Sequence, residues 1–280
     1  MTFRSVFLGL GFDQLAPGPA PESHAAEDYA VAFSANERAY LSVFMAAPVL
    51  YVPSGGFLRL GHSLVAAVSA ERRQYAQETE KRIAAAAVAD VRAGFHIVQN
   101  SHAETCKRIA AAARLSDLAI VARPGNGLSL DQNLIEAMLF GTGRPLLVIP
   151  PNWDKGPRFQ KIMIAWDGSA RAARAVGDSM PLLARADRVE ILCASPDASK
   201  HIDGADLATH LARHCRAVTV TDLPARHGDV ARTLAAHATM AGAELLVMGG
   251  YGHTRLLEMV LGGVTIIMLS EAELPLLMSY

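Results

Sequence analysis

Short apolar, β-rich runs alternate along the chain with longer runs whose apolar positions recur at helical spacing. The C-terminal half shows this most clearly. QKIMIAW (160–166) predicts a strand and stops at the turn signal DGS. SARAARAVGDSMPLLARA, rich in alanine and helically spaced, predicts a helix, and RVEILCA predicts the next strand. A polar loop leads to the helical ADLATHLARHCR and then to the strand AVTVTD. HGDVARTLAAHATMAG opens on a Gly-Asp start and predicts an amphipathic helix. AELLVMGG is mostly apolar rather than alternating, which predicts a strand buried on both faces. A last helix is expected to begin near Thr265, and PLLM (275–278) to end the sheet.

The N-terminal half repeats the order. FRSVFLGL, AYLSVFMAAP and FHIVQ predict strands, HAETCKRIAAAARLSD a helix, and LAIVA and PLLVIP (145–150) two more strands. A long run over 63–93, rich in Ala, Glu, Arg and Gln, predicts an added helix. Two echoes point to an internal repeat: SDLAIVARPG (116–125) against AELLVMGGYG (243–252), and RPLLVIP against LPLLMSY. Alternating strands and helices predict an α/β chain of parallel sheets covered by helices on both faces. PPNWDKGPRF (150–159), with three prolines and a glycine, is the expected linker. It divides the chain into residues 1–150 and 151–280.

Composition narrows the function classes. The chain has 280 residues, 51% apolar and 19% charged, which predicts a well-filled core. A net charge of −1 without a basic stripe argues against a nucleic-acid partner. Cys106, Cys193 and Cys215 are few and far apart, which fits a reducing, cytoplasmic setting better than a disulfide frame. No apolar run is long enough to span a bilayer, so no membrane partner is expected.

In a doubly wound sheet, ligands bind outside the carboxyl ends of the strands. Asp167 directly follows the first strand of the second half, and Gly249 to Gly252 follow LLVM. Gly262 to Thr265 open a helix. Helix N-termini offer unpaired N–H groups to phosphate, glycines permit close backbone approach, and an aspartate at a strand end can accept from ribose hydroxyls. Each glycine taken alone also suits an ordinary turn.

The stretches KIMIAWDGSARAARAV (161–176), VMGGYGHTRLLEMVLGGVT (247–265) and PLLM together resemble the universal stress protein family. The ATP-binding members of that family carry glycine, two residues, glycine, nine residues, glycine, then serine or threonine. Gly249, Gly252 and Gly262 keep both spacings. With the weaker N-terminal repeat, the resemblance implies a tandem-domain member: two Rossmann-like domains of the adenine nucleotide alpha hydrolase-like kind, each with a mainly parallel five-stranded sheet. It implies an adenine nucleotide, ATP with Mg²⁺, against Ala165, Trp166, Asp167, Met248, Gly249 and Gly252. Gly262, Gly263, Val264 and Thr265 complete the phosphate side, and Ala194 lies near the adenine. It further implies domains paired through their last strands, PLLVI and PLLM, as an intramolecular pseudo-dimer, with a homodimer as the further form. Trp166 either stacks on adenine or fills the domain interface.

There is one departure at the site. The serine or threonine expected after the last glycine is Gly263. A hydrogen bond to a charged group contributes roughly 1.5–3 kcal/mol, so its loss predicts binding weaker by about ten- to a hundred-fold. The N-terminal half departs further, with Gly11 where the repeat has Asp167 and no glycine pair nine residues after Gly125. It is expected to be a degenerate domain. No Walker-type loop occurs, and the cluster of His210, His214 and Cys215, with the histidines at i, i+4 spacing, shows no further ligand group for zinc. His253 follows Gly252 where the family often has a basic residue, and a surface role is the alternative. No catalytic residue is assigned. The resemblance implies a stress-response binding or signalling module, with a nucleotide-free scaffold and a slow ATPase as rivals.

Overall fold

Each apolar run read as a strand is a strand in the computed structural model, which describes residues 2–11, 23–47, 59–87, 91–123, 130–195, 202–225, 229–250, 252–255, 258–261 and 263–280. The first half comprises β1 (Ser5–Leu10), α1 (Ala25–Glu37), β2 (Tyr40–Ala46), α2 (Arg59–Ala86), β3 (Ala93–Val98), α3 (His102–Ala113), β4 (Leu118–Ala122), α4 (Leu130–Gly141) and β5 (Leu146–Ile149). The second comprises β6 (Lys161–Trp166), α5 (Ala170–Leu183), β7 (Arg188–Ser195), α6 (Ala205–Leu211), β8 (Val218–Pro224), α7 (Val230–Met240) and β9 (Leu245–Gly249). It ends with β10 (Gly252–Arg255), β11 (Glu258–Leu261), α8 (Gly263–Glu271) and β12 (Leu276–Ser279).

Ten strands form one sheet in the order β3-β2-β1-β4-β5-β12-β9-β6-β7-β8. Each half therefore has the same internal order, with its first strand at the centre and its second and third to one side. All pairs are parallel except β5–β12, where the halves meet antiparallel. Strands near that seam, β4, β5, β9 and β12, are buried almost throughout because helices cover both faces. The outer edge at β8 is polar and partly exposed and ends in Pro224, which blunts it against further pairing.

The seam supports the pairing expected of PLLVI and PLLM. Leu276 faces Val148, Leu277 faces Leu147 and Met278 faces Leu146, all six buried. Side chains lock it on both faces. The Phe140 and Tyr280 rings meet edge-on at 4.8 Å, as do Phe33 and Phe159 at 5.9 Å. Arg185 reaches Glu37 Oε1 at 2.6 Å across the halves, and Arg123 Nη1 donates to the Ala272 carbonyl at 2.7 Å.

The stretch 150–159, between β5 and β6, is pinned as a turn: the buried Trp153 donates from Nε1 to the Gly156 carbonyl at 2.9 Å, and Gly156 has φ +65°. Two expectations are corrected. Helix α2 ends at Ala86 rather than 93, because Ala93 must already pair in β3. Helix α6 ends at Leu211, short of His214 and Cys215. The last helix starts at Gly263, close to Thr265 as expected. No described helix is long and apolar enough to cross a membrane.

Candidate functional site

The strand order of the second half reverses beside β6, with β7 on one side and β9 on the other. Crossover helices diverge there, leaving a crevice at the carboxyl ends of the two central strands. Parallel register sets what lines it: Ala165 is level with Met248 and Leu192, and Trp166 with Cys193. Gly249 is level with Ser279. Ala165, Trp166, Met248, Gly249 and Ala194 thus come from three adjacent strand ends.

Asp167 leaves β6 into a tight turn. Its Oδ1 accepts from the Ser169 N–H at 3.0 Å, and Gly168 follows at φ +76°, a conformation side chains rarely tolerate. Ser169 then caps α5, its hydroxyl accepting from the Ala172 N–H at 3.1 Å. Gly249 is held against that same first turn. A Cβ there would lie 2.7 Å from Ala172 N and 2.9 Å from the Arg171 carbonyl carbon. Only glycine lets β9 approach the helix backbone so closely.

The spacer between the glycines folds back on itself. β10 and β11 form an antiparallel hairpin in which Gly252 pairs with Leu261 and Arg255 with Glu258. The two ends of the nine-residue spacer are therefore brought together, and β11 lies against α4 of the first half. Gly262 lies outside the described residues, as do the side chain of His253 and the residues Gly125 and Gly127. Gly263 is exposed and opens α8, and a Cβ added there would meet no atom of the described residues within 4 Å. Val264 is half-buried and Thr265 fully buried, so the Thr265 hydroxyl is turned away from solvent.

Trp166 is not part of the interface between halves. Its half-buried indole donates from Nε1 to the Asp203 carbonyl at 3.3 Å, on the β7–β8 side. Beneath it, a Cβ on Gly204 would stand 3.0 Å from Cys193 Sγ. Burial, then the Asp222 and Asp203 carboxylates, push the Cys193 thiol up to about 11, so it is protonated and unreactive at neutral pH. Cys193 and Cys106 are both buried packing residues, as expected, and all three cysteines are free. The His210 and His214 rings lie 5.3 Å apart, but among the described residues no group of three His, Cys, Asp or Glu could hold a metal.

Three participants were not picked out from sequence. Ser169 is the cap that turns the α5 N-terminus into the crevice, and the signal for it was the serine of DGS directly before a helical run. Arg171 lies in the first turn of α5, its guanidinium 4.6 Å from the Tyr280 ring centre. Asp203 supplies the carbonyl under Trp166, and no local pattern marks it.

Residues 158–279, which contain this crevice, match the model of the universal stress protein family. The match covers the C-terminal half alone. The whole chain is similar in fold to a universal stress protein from Archaeoglobus fulgidus DSM 4304, at 14% identity and TM-score 0.68, covering 98% of this chain and 97% of that one. It is also similar to a functionally unknown protein from Pseudomonas aeruginosa PAO1, at 14% identity and TM-score 0.53, covering 99% and 92%. Comparison with curated proteins gives no match. The universal stress protein domain is thus joined, through β12, to a second half built in the same strand order.

Proposed function

We propose that the C-terminal half binds an adenine nucleotide, ATP with Mg²⁺, and works as a binding or signalling module in a stress response. The observation that carries this is the turn at the end of β6: Asp167 accepts from the Ser169 N–H, Ser169 caps α5, and Gly249 of β9 is held against the same first helical turn. The phosphates would take the backbone N–H groups at Gly252, Gly262 and the start of α8, with Asp167 toward the ribose. Ala165, Met248, Val264 and Ala194 would line the base, and Trp166 would flank it. Bound Mg²⁺ would neutralise phosphate charge.

A binder suits the site better than an enzyme. Asp167 is tied to the Ser169 N–H, and the Cys193 thiol stays protonated. We retain residues 1–150 as a degenerate domain and 151–280 as the nucleotide domain, with the free cysteines fitting a cytoplasmic setting.

Gly263 favours a second reading, a nucleotide-free scaffold, because no hydroxyl stands at the open helix start. Calorimetry on the full chain separates the two. ATP should bind, and Asp167→Ala should weaken it at least several-fold. Absence of measurable ATP binding, together with no small molecule released from the purified protein by mass spectrometry, would favour the scaffold.

A further inference from the structure

The two crevices are built alike but filled differently. In the N-terminal half the strand order reverses between β2-β1 and β4, so the corresponding crevice lies where Gly11 leaves β1. Helix α4 enters it from the β4 side as α8 does from β9, yet α4 has 12 residues and α8 has 9. Both helices stop the same distance before their last strand: Gly141 precedes Leu146 as Glu271 precedes Leu276. The additional turn is therefore at the start of α4, inside the crevice.

That turn carries Asp131. Aspartates are mostly exposed, but this one retains only 6% of its surface. Its carboxylate lies directly on Gly11: a Cβ there would fall 2.0 Å from Oδ1 and 2.5 Å from Oδ2. The space remaining among Gly9, Gly11, Val121, Leu134 and Ile135 is about 10 Å³, too little for more than one water. The charge is also felt on the neighbouring helix, where burial and then the Asp131 carboxylate push the Cys106 thiol up to about 11. In the C-terminal half, at the equivalent helix start, a Cβ on Gly263 would meet no atom of the described residues within 4 Å.

We infer that Asp131 is a built-in ligand of the N-terminal half: its carboxylate occupies the anion position at the helix start and excludes phosphate from that crevice. Two physical effects act together. A helix N-terminus favours negative charge, and a tethered carboxylate supplies it without the entropy of capturing a free ion. A phosphate would then meet both a filled volume and a like charge. What the open cradle would otherwise hold rests on the reading proposed for the C-terminal half; the filling of the N-terminal one rests on the Asp131–Gly11 contact alone.

The test is thermal denaturation of the full chain in inorganic phosphate, against chloride at equal ionic strength. Asp131→Ala should melt below wild type in chloride and regain several degrees in millimolar phosphate, a rescue that wild type lacks. Equal phosphate responses in variant and wild type would overturn the inference. Gly11→Ala is an independent variant, since its Cβ must evict the carboxylate. It should also melt lower and acquire the phosphate response, and wild-type melting would overturn the inference too. ATP titrations on the same variants should match wild type, because the Asp167 crevice is untouched. A chain that never binds ATP but shows the phosphate rescue would sink the nucleotide reading while leaving this one standing.

Discussion

Gly249→Ala isolates how far the site depends on packing. A new Cβ would sit 2.7 Å from Ala172 N and 2.9 Å from the Arg171 carbonyl carbon, both backbone atoms that no rotamer change can move. Contacts between such atoms are ordinarily about 3.5–4.0 Å, so β9 and the first turn of α5 must part by roughly 1 Å. Overpacking of this kind costs about 1–3 kcal/mol. Ala172 N is also the donor to Ser169 Oγ, so the displacement threatens the helix cap, a further ~1 kcal/mol. The sum, about 2–4 kcal/mol, should lower Tm by roughly 5–15 °C. Differential scanning calorimetry gives the shift, and titration calorimetry on the same sample gives ATP binding. A Tm unchanged from wild type would refute the close approach. An unchanged Tm with ATP binding lost would move the role of this glycine from packing to ligand contact.

Gly263→Ser should leave Tm nearly unaltered, since its side chain enters open space, while tightening ATP binding by about ten-fold or more in calorimetry if the added hydroxyl reaches phosphate; unchanged affinity would remove that contact. Amides of Leu276 to Met278 should exchange only at the rate of global unfolding, and rapid exchange by mass spectrometry would refute the seam. Burial pushes the Glu190 carboxyl up, but its hydrogen bonds with His237 and Thr221 more than offset this and hold it below the usual carboxylate value. Its folded pKa thus lies below the unfolded one, so its contribution to stability is complete above the ordinary carboxylate pKa and is lost as pH falls through the lower folded value. The Tm gap between wild type and Glu190→Gln should therefore narrow on acidification, and a gap constant with pH would refute the assignment.

Period and punctuation made most strands legible, because their burial on two faces leaves uninterrupted apolar runs such as LLVM and LAIV. Helix α1 escaped for a physical reason. Ala26, Tyr29, Ala30, Val31 and Phe33 are buried around much of its circumference, between the sheet, α2 and Phe159 of the other half, so no polar stripe marks a helical period. The hairpin of β10 and β11 escaped because each strand has only four residues and pairs only with the other. At the site, the glycine spacing and Asp167 were visible, since both are local features. The filling of the first crevice was not: nothing in the chain around Asp131 announces that it will meet Gly11, a contact made only once β1, β4 and α4 are assembled.

The antiparallel seam has a directional consequence. Strands of the two halves run oppositely across it, so their carboxyl ends, and hence their crevices, open at opposite rims of one sheet. No small ligand can touch both. Each crevice instead has for its neighbour the strand-entry rim of the other half, as Arg174 on α5 shows by donating to the Gly143 carbonyl across the seam at 3.2 Å. Two identical chains joined through such a strand would have to carry identical crevices by symmetry. Here one polypeptide supplies both sides, and the dyad is broken at the level of single residues: Gly11 and Asp131 at one rim, Asp167 and Gly263 at the other. The molecule has the frame of a symmetric pair with different residues at its two rims.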